Sequence, residues 1–181
     1  MFKTLSSPLA SGGRLSAAFG TNPDAPRPVQ QAVRWMYAGA AVSGISLILS
    51  AIFSFSFKSG LVSANQQNLA DHKVTMSQIN SFANQEIISQ IVFGVIAVAL
   101  WIWMAKMNGN GRGWARISST VFFALFTIDS FITINSIKGG VSVTASWILS
   151  MALLLATWVI GVAVIALIWR PVSTAFYKSQ A

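Results

Sequence analysis

Four carboxylates, one imidazole and no thiol are all that this 181-residue chain offers to acid–base or metal chemistry. The acids are Asp24, Asp71, Glu86 and Asp129, and the histidine is His72. A metal site needs three or four ligands, and His72 beside Asp71 supplies two at most. Serines are plentiful, but no histidine is placed to activate one. Without cysteine there is no disulfide, thiolate nucleophile or thiolate metal site. No catalytic residue, metal or cofactor is expected.

Asp129 is the exception. It stands in FALFTIDSF, Phe123 to Phe131, an apolar run where a charge is least welcome. On a helical wheel Ser118, Asp129, Thr133 and Ser136 fall within an arc of roughly 60°, at 100° per residue. An ionised aspartate at the bilayer centre costs about 2.5–3.5 kcal/mol on insertion scales, so it should turn inward to a partner or be protonated. Ser43, Ser46, Ser150 and the Trp158 indole are candidate partners. One role for Asp129 is a clasp between helices. The other is a proton or cation relay, for which no second ionisable group stands in the apolar blocks.

The elements that hold this residue follow from composition. Hydrophobic residues make up 54% of the chain and charged residues 9%, against about a quarter charged in soluble domains. The apolar residues are gathered in blocks. No charge falls in the 23 positions between Arg34 and Lys58, nor in the 19 between Glu86 and Lys106. Only Asp129 interrupts the 21 positions between Arg116 and Lys138, and none occurs from Gly139 to Trp169. About 20 helical residues cross a hydrocarbon core of roughly 30 Å. The expected fold is all-α, an antiparallel bundle of four transmembrane helices over about 33–57, 87–107, 115–137 and 146–169.

Residues 1–30, rich in Ser, Gly and Pro, read as a flexible tail, and 172–181 as a second one. The 58–86 connection places Leu69, Met76, Ile79, Phe82, Ala83 and Ile87 at helical spacings, which suggests an amphipathic helix with Ser77 as N-cap. NGNGRGW, Asn108 to Trp114, lacks the lysine and hydroxyl of a phosphate cradle and reads as a tight turn. Gly139-Gly140 should stop the third helix and Pro171 the fourth.

The net charge of +8 is not arranged as a nucleic-acid face; the basic residues bracket the apolar blocks. Lys3, Arg14, Arg27, Arg34, Lys106, Arg112, Arg116, Arg170 and Lys178 fall on one side, and Lys58, Lys73 and Lys138 on the other. The positive-inside rule puts both termini in the cytoplasm, with Lys106, Arg112, Arg116 and Arg170 at the lipid headgroups. Small-xxx-small pairs at Gly39/Ser43, Ala40/Gly44 and Ala152/Ala156 are candidate packing surfaces, within the chain or between chains.

Three stretches, WIWMA (Trp101–Ala105), NGRGWAR (Asn110–Arg116, then Ser119-Thr120) and LIWRPVSTAFY (Leu167–Tyr177), resemble small four-helix integral membrane proteins of actinobacteria. Val172 stands where that pattern has an acidic residue. The resemblance implies the four-helix topology and a bacterial inner membrane, and it transfers no functional residues. The expected function is that of a non-catalytic membrane protein, an accessory or assembly subunit acting through helix packing. Its partners would be the lipid bilayer and other membrane chains or further copies of itself, and not nucleic acid. The alternative is a small oligomeric ion- or proton-coupled transporter or channel that uses Asp129.

Overall fold

The computed structural model describes Asn22, residues 24–136 and residues 145–180. Within them the chain is helical and has no strand. Four helices are long and apolar enough to cross a membrane: α1 (Arg27–Ala64), α3 (Met76–Gly109), α4 (Gly113–Ser136) and α5 (Ala145–Ile168). A short α2 (Gln66–Ala70) follows α1, and α6 (Pro171–Ser179) follows α5.

The long helices overrun the apolar blocks. α1 begins at Arg27, just after Pro26, with Pro28 in its first turn, where a missing N–H costs nothing. The expected tail at 1–30 is therefore too long by several residues. Asn22 N–H already bonds the Gly109 carbonyl at 3.1 Å, and Ala25 is buried. Residues 1–21 and 23 lie outside the described residues, as does the Lys138–Gly140 turn.

The 58–86 connection is mostly continuation of α1 and α3, rather than a separate amphipathic helix. The N-cap of α3 is Thr75 instead of Ser77: its hydroxyl accepts from Gln78 N–H at 3.2 Å, and the Gln78 side chain accepts from Thr75 N–H at 2.8 Å. That reciprocal pair is a capping box, and Ser77 has no glutamine or glutamate three residues on.

α1 is the central element, packed along both α3 and α5; α4 touches α3 and α5 at far fewer points. The best-packed region lies at the end where the start of α1 and the last helix, α6, meet the α3–α4 turn. Val29, Val33 and Met36 of α1, Met104 and Ala105 of α3, and Ile160, Val164 and Ile168 of α5 form one buried cluster there. Phe176 and Tyr177 of α6 complete it. Of the expected tail at 172–181, residues 172–179 are thus helical and packed. Pro171 ends α5 and sits at the first position of α6, where its fixed φ suits a helix start. Ser173, Phe176 and Tyr177 at i, i+3 and i+4 then face the core.

Away from that end, large apolar side chains are exposed along every long helix, among them Ile48, Ile52, Phe93, Leu125, Ile132 and Leu155. An exposed apolar surface of this extent needs a covering other than water.

Candidate functional site

The sequence pointed to Asp129 and its stripe, and the structure places that residue elsewhere. Asp129 is exposed. Its neighbours Leu125, Ile128, Phe131 and Ile132 are each more than half exposed. The inward face of α4 is carried by Ala115, Ser119 and Ser130, all buried, and by Phe123. At 100° per residue that face is centred roughly 80° round the helix from Asp129. The expectation that Asp129 turns into the bundle is therefore corrected: it flanks the packed face.

Its expected partners are elsewhere too. Ser46 returns its hydroxyl to the Val42 carbonyl at 3.0 Å. The Trp158 ring lies against Phe123, centroids 6.2 Å apart. Phe123 is six residues before Asp129, about 9 Å along the helix. Ser150 is exposed and Ser118 half-buried. Ser43 lines a central cavity instead. The side chains of Thr133 and Ser136 lie outside the described residues. No hydrogen bond or ion pair joins Asp129 to any described residue.

The packing residues divide. Gly39 is buried and faces the Trp101 ring, which a Cβ would meet at 2.9 Å. Ala40 is buried as well. Gly44 has nothing within 4 Å of where a Cβ would stand, so Ala40/Gly44 is not a close-packing seam within this chain. The expectation for α5 is corrected as well. Ala152 is exposed and Ala156, one turn on, is only half-buried rather than enclosed in a helix contact. Neither Ala152 nor Ala156 belongs to the buried cluster, which α5 enters only from Ile160 onward. The reason is that larger side chains, Ile160, Val164 and Ile168, carry the inward face of α5, and a small residue brings backbones together only where it stands on that face. Two glycines outside the expected pairs are tighter: Gly94 receives Leu47, and Gly161 receives the Phe123 ring.

What converges is a polar knot at the terminal end. Asn108, fully buried, donates through Nδ2 to the Met104 carbonyl and to Ser119 Oγ, each at 3.0 Å. Its Oδ1 accepts from the Tyr177 hydroxyl at 3.0 Å. Ser119 Oγ donates in turn to the Ala115 carbonyl at 2.8 Å and approaches Met104 Sδ at 3.3 Å. One side chain thereby ties α3, α4 and α6. Burial pushes the Tyr177 phenol well above its ordinary value, and the nearby Arg116 charge opposes this, so the hydroxyl remains a donor.

Beside the knot, Arg116 donates through Nη1 to Thr174 Oγ1 at 2.9 Å. Its guanidinium lies 4.3 Å from the Trp169 ring centroid and 5.5 Å from that of Tyr177. Trp169 Nε1–H donates to Thr120 Oγ1 at 3.0 Å. Arg116 is thus only part-exposed and holds α4 to α5 and α6 through hydrogen bonding and cation–π contact. Of the four residues expected at the headgroups, Lys106, Arg112 and Arg170 are exposed, whereas Arg116 is engaged within the fold.

The turn is shaped to receive α6. Gly111 has φ +73°, and a Cβ there would meet Phe176 and Gln180 at 2.9 Å. The three stretches that carry the resemblance therefore meet in one place, through Met104, Arg116, Ser119, Trp169, Thr174 and Tyr177. Sequence reading missed Asn108 and Tyr177 because both stood in segments read as turn and tail. Comparison with protein-family models, with curated proteins and with solved structures gives no match.

Proposed function

We propose that the chain is a non-catalytic, multi-pass protein of a bacterial inner membrane, an accessory or assembly subunit that works by helix packing. The observation that carries this is the outward placement of Asp129. It lies sixteen residues beyond Gly113, about 24 Å along α4, in the outer part of a roughly 30 Å core and three residues before the apolar span ends at Ile132. A carboxylate at that depth among exposed Leu125, Ile128 and Ile132 finds nothing in lipid to bond. A donor from another chain would satisfy it.

The charge asymmetry supports an antiparallel arrangement with both termini cytoplasmic. The relay reading has less support, because no ionisable side chain lines the central cavity and Asp129 stands off it. The knot at Asn108 then acts as a fastener for the subunit's own fold, leaving the outer face of α4 for the partner.

The test is purification from the native membrane in mild detergent, with cysteines introduced singly at Leu125 and Ile132 for crosslinking to neighbours. The chain has none of its own, so each adduct reports one position. A reproducible adduct, lost in Asp129→Leu while helicity is unchanged, supports the interface. A solitary monomer indifferent to Asp129→Leu overturns it. A pH-dependent flux in proteoliposomes that Asp129→Asn abolishes would establish the transporter reading instead.

A further inference from the structure

A cavity of about 220 Å³ lies between α1, α3, α4 and α5. Its walls carry the rings of Trp101, Phe122, Phe123 and Phe126 and the thioethers of Met36 and Met104. Two of these rings lie directly over glycines, Trp101 over Gly39 and Phe123 over Gly161. We infer that this cavity binds an uncharged planar ring bearing a hydrogen-bond acceptor, of the quinone class, taken up from the bilayer.

Hydrophobicity alone cannot select the occupant, because lipid tails are as apolar as the cavity. An acyl chain gains little by leaving the bilayer. A ring gains edge and face contacts with the aromatic side chains of the lining, which lipid does not offer. No ionisable side chain lines the space, so a charged ligand would be stranded.

Three hydroxyls line it: Ser43, Ser119 and Thr157. Ser119 is committed to the knot, and Thr157 donates to the Leu153 carbonyl at 2.9 Å. The Ser43 hydroxyl bonds no described residue and is the donor left for a ligand carbonyl. The size agrees: a 150 Å³ apolar cavity holds benzene, and 220 Å³ admits a fused or substituted ring. The inference rests on the membrane reading but not on the assembly interface, since Asp129 stands off the cavity.

The experiment labels methionine methyl groups with ¹³C and titrates the detergent-solubilised protein with 1,4-naphthoquinone, using decane as the aliphatic control. The absence of cysteine excludes thiol arylation by the probe. Saturable shifts of Met36 and Met104, with Met76 unmoved, are expected. Ser43→Ala should weaken binding about three- to tenfold, the scale of one hydrogen bond, and Ala97→Phe should fill the space and abolish the shifts. Saturation by decane with equal affinity would overturn the inference. So would unsaturable drift with naphthoquinone, or a Ser43→Ala protein that titrates like its parent.

Discussion

Replacing Tyr177 by Phe removes one oxygen atom and tests whether α6 is part of the fold. The hydroxyl is the donor that meets Asn108 Oδ1 at 3.0 Å. Asn108 is 0% exposed and Tyr177 2%, so water does not replace the lost donor. A buried acceptor left without a partner costs about 1–3 kcal/mol. The ring itself stays, which keeps any cavity term small. Interhelical hydrogen bonds measured within bilayers average about 0.6 kcal/mol because the unfolded state there also finds partners. α6 is not among the helices long and apolar enough to cross a membrane, so a cost of about 1–2 kcal/mol is expected, a factor of roughly 5–30 in the opening equilibrium.

Amide hydrogen exchange over residues 172–179 reads that factor directly, since those amides exchange when α6 leaves. Asn108→Leu removes the acceptor and both donated bonds, stranding the Tyr177 hydroxyl while Ser119 keeps its bond to the Ala115 carbonyl. The double variant Asn108→Leu/Tyr177→Phe leaves no orphan between these two positions. It should therefore cost about 1 kcal/mol less than the sum of the single changes. Strict additivity, or exchange in Tyr177→Phe no faster than in the parent, would refute the assignment of the knot as the fastener of α6.

Three further outcomes follow from the same region and from the topology. Burial raises the Tyr177 pKa, so the folded state keeps a proton that the unfolded state sheds above its ordinary value near 10. Stability from this group is complete below that pH and is lost as pH rises beyond it; thermal melts between pH 8 and 11 should show a fall that Tyr177→Phe reduces. Gly111→Ala combines φ +73° with a collision against Phe176, so it should lower stability by about 1–2 kcal/mol in chemical unfolding, whereas Gly44→Ala, with open space at its Cβ, should be tolerated. Finally, a cysteine at Gln67 should react with an impermeant maleimide outside intact cells and one at Asn110 should not; the reverse pattern would invert the orientation.

The spans were legible because length and absence of charge define them, and those features are local. The helix ends were not. Charges at Arg34 and Glu86 mark where an apolar block stops, but α1 begins at Arg27 and α3 at Met76; a helix continues past its hydrocarbon-length part while its backbone bonds hold. The clearest missed signal was in STAFYKS. Ser173, Phe176 and Tyr177 already lay at the spacing of one helical face, and Pro171 at the first position of the new helix was read only as a stop. Asn108 gave no such signal. An asparagine among glycines is ordinary turn chemistry, and only the arrival of Tyr177 from 69 residues away makes it a junction.

Asp129 shows why a polar stripe does not identify the inner face of a long apolar helix. Ser119, Thr120, Thr127 and Ser130 each donate to the carbonyl four residues back, at 2.7–3.0 Å. Hydroxyl residues of this kind satisfy themselves wherever they point, so grouping Ser118, Thr133 and Ser136 with Asp129 added no directional information. An ionised carboxylate has only acceptors and cannot use those carbonyls, so it cannot satisfy itself in the same way. The inward face is set by volume instead. Ala115 and Ser119 sit under the turn, and Phe123 enters the space left by Gly161. Once that ring is seated the rotation of α4 is fixed, and Asp129 is carried out of the packed face, without a hydrogen-bond partner among the described residues.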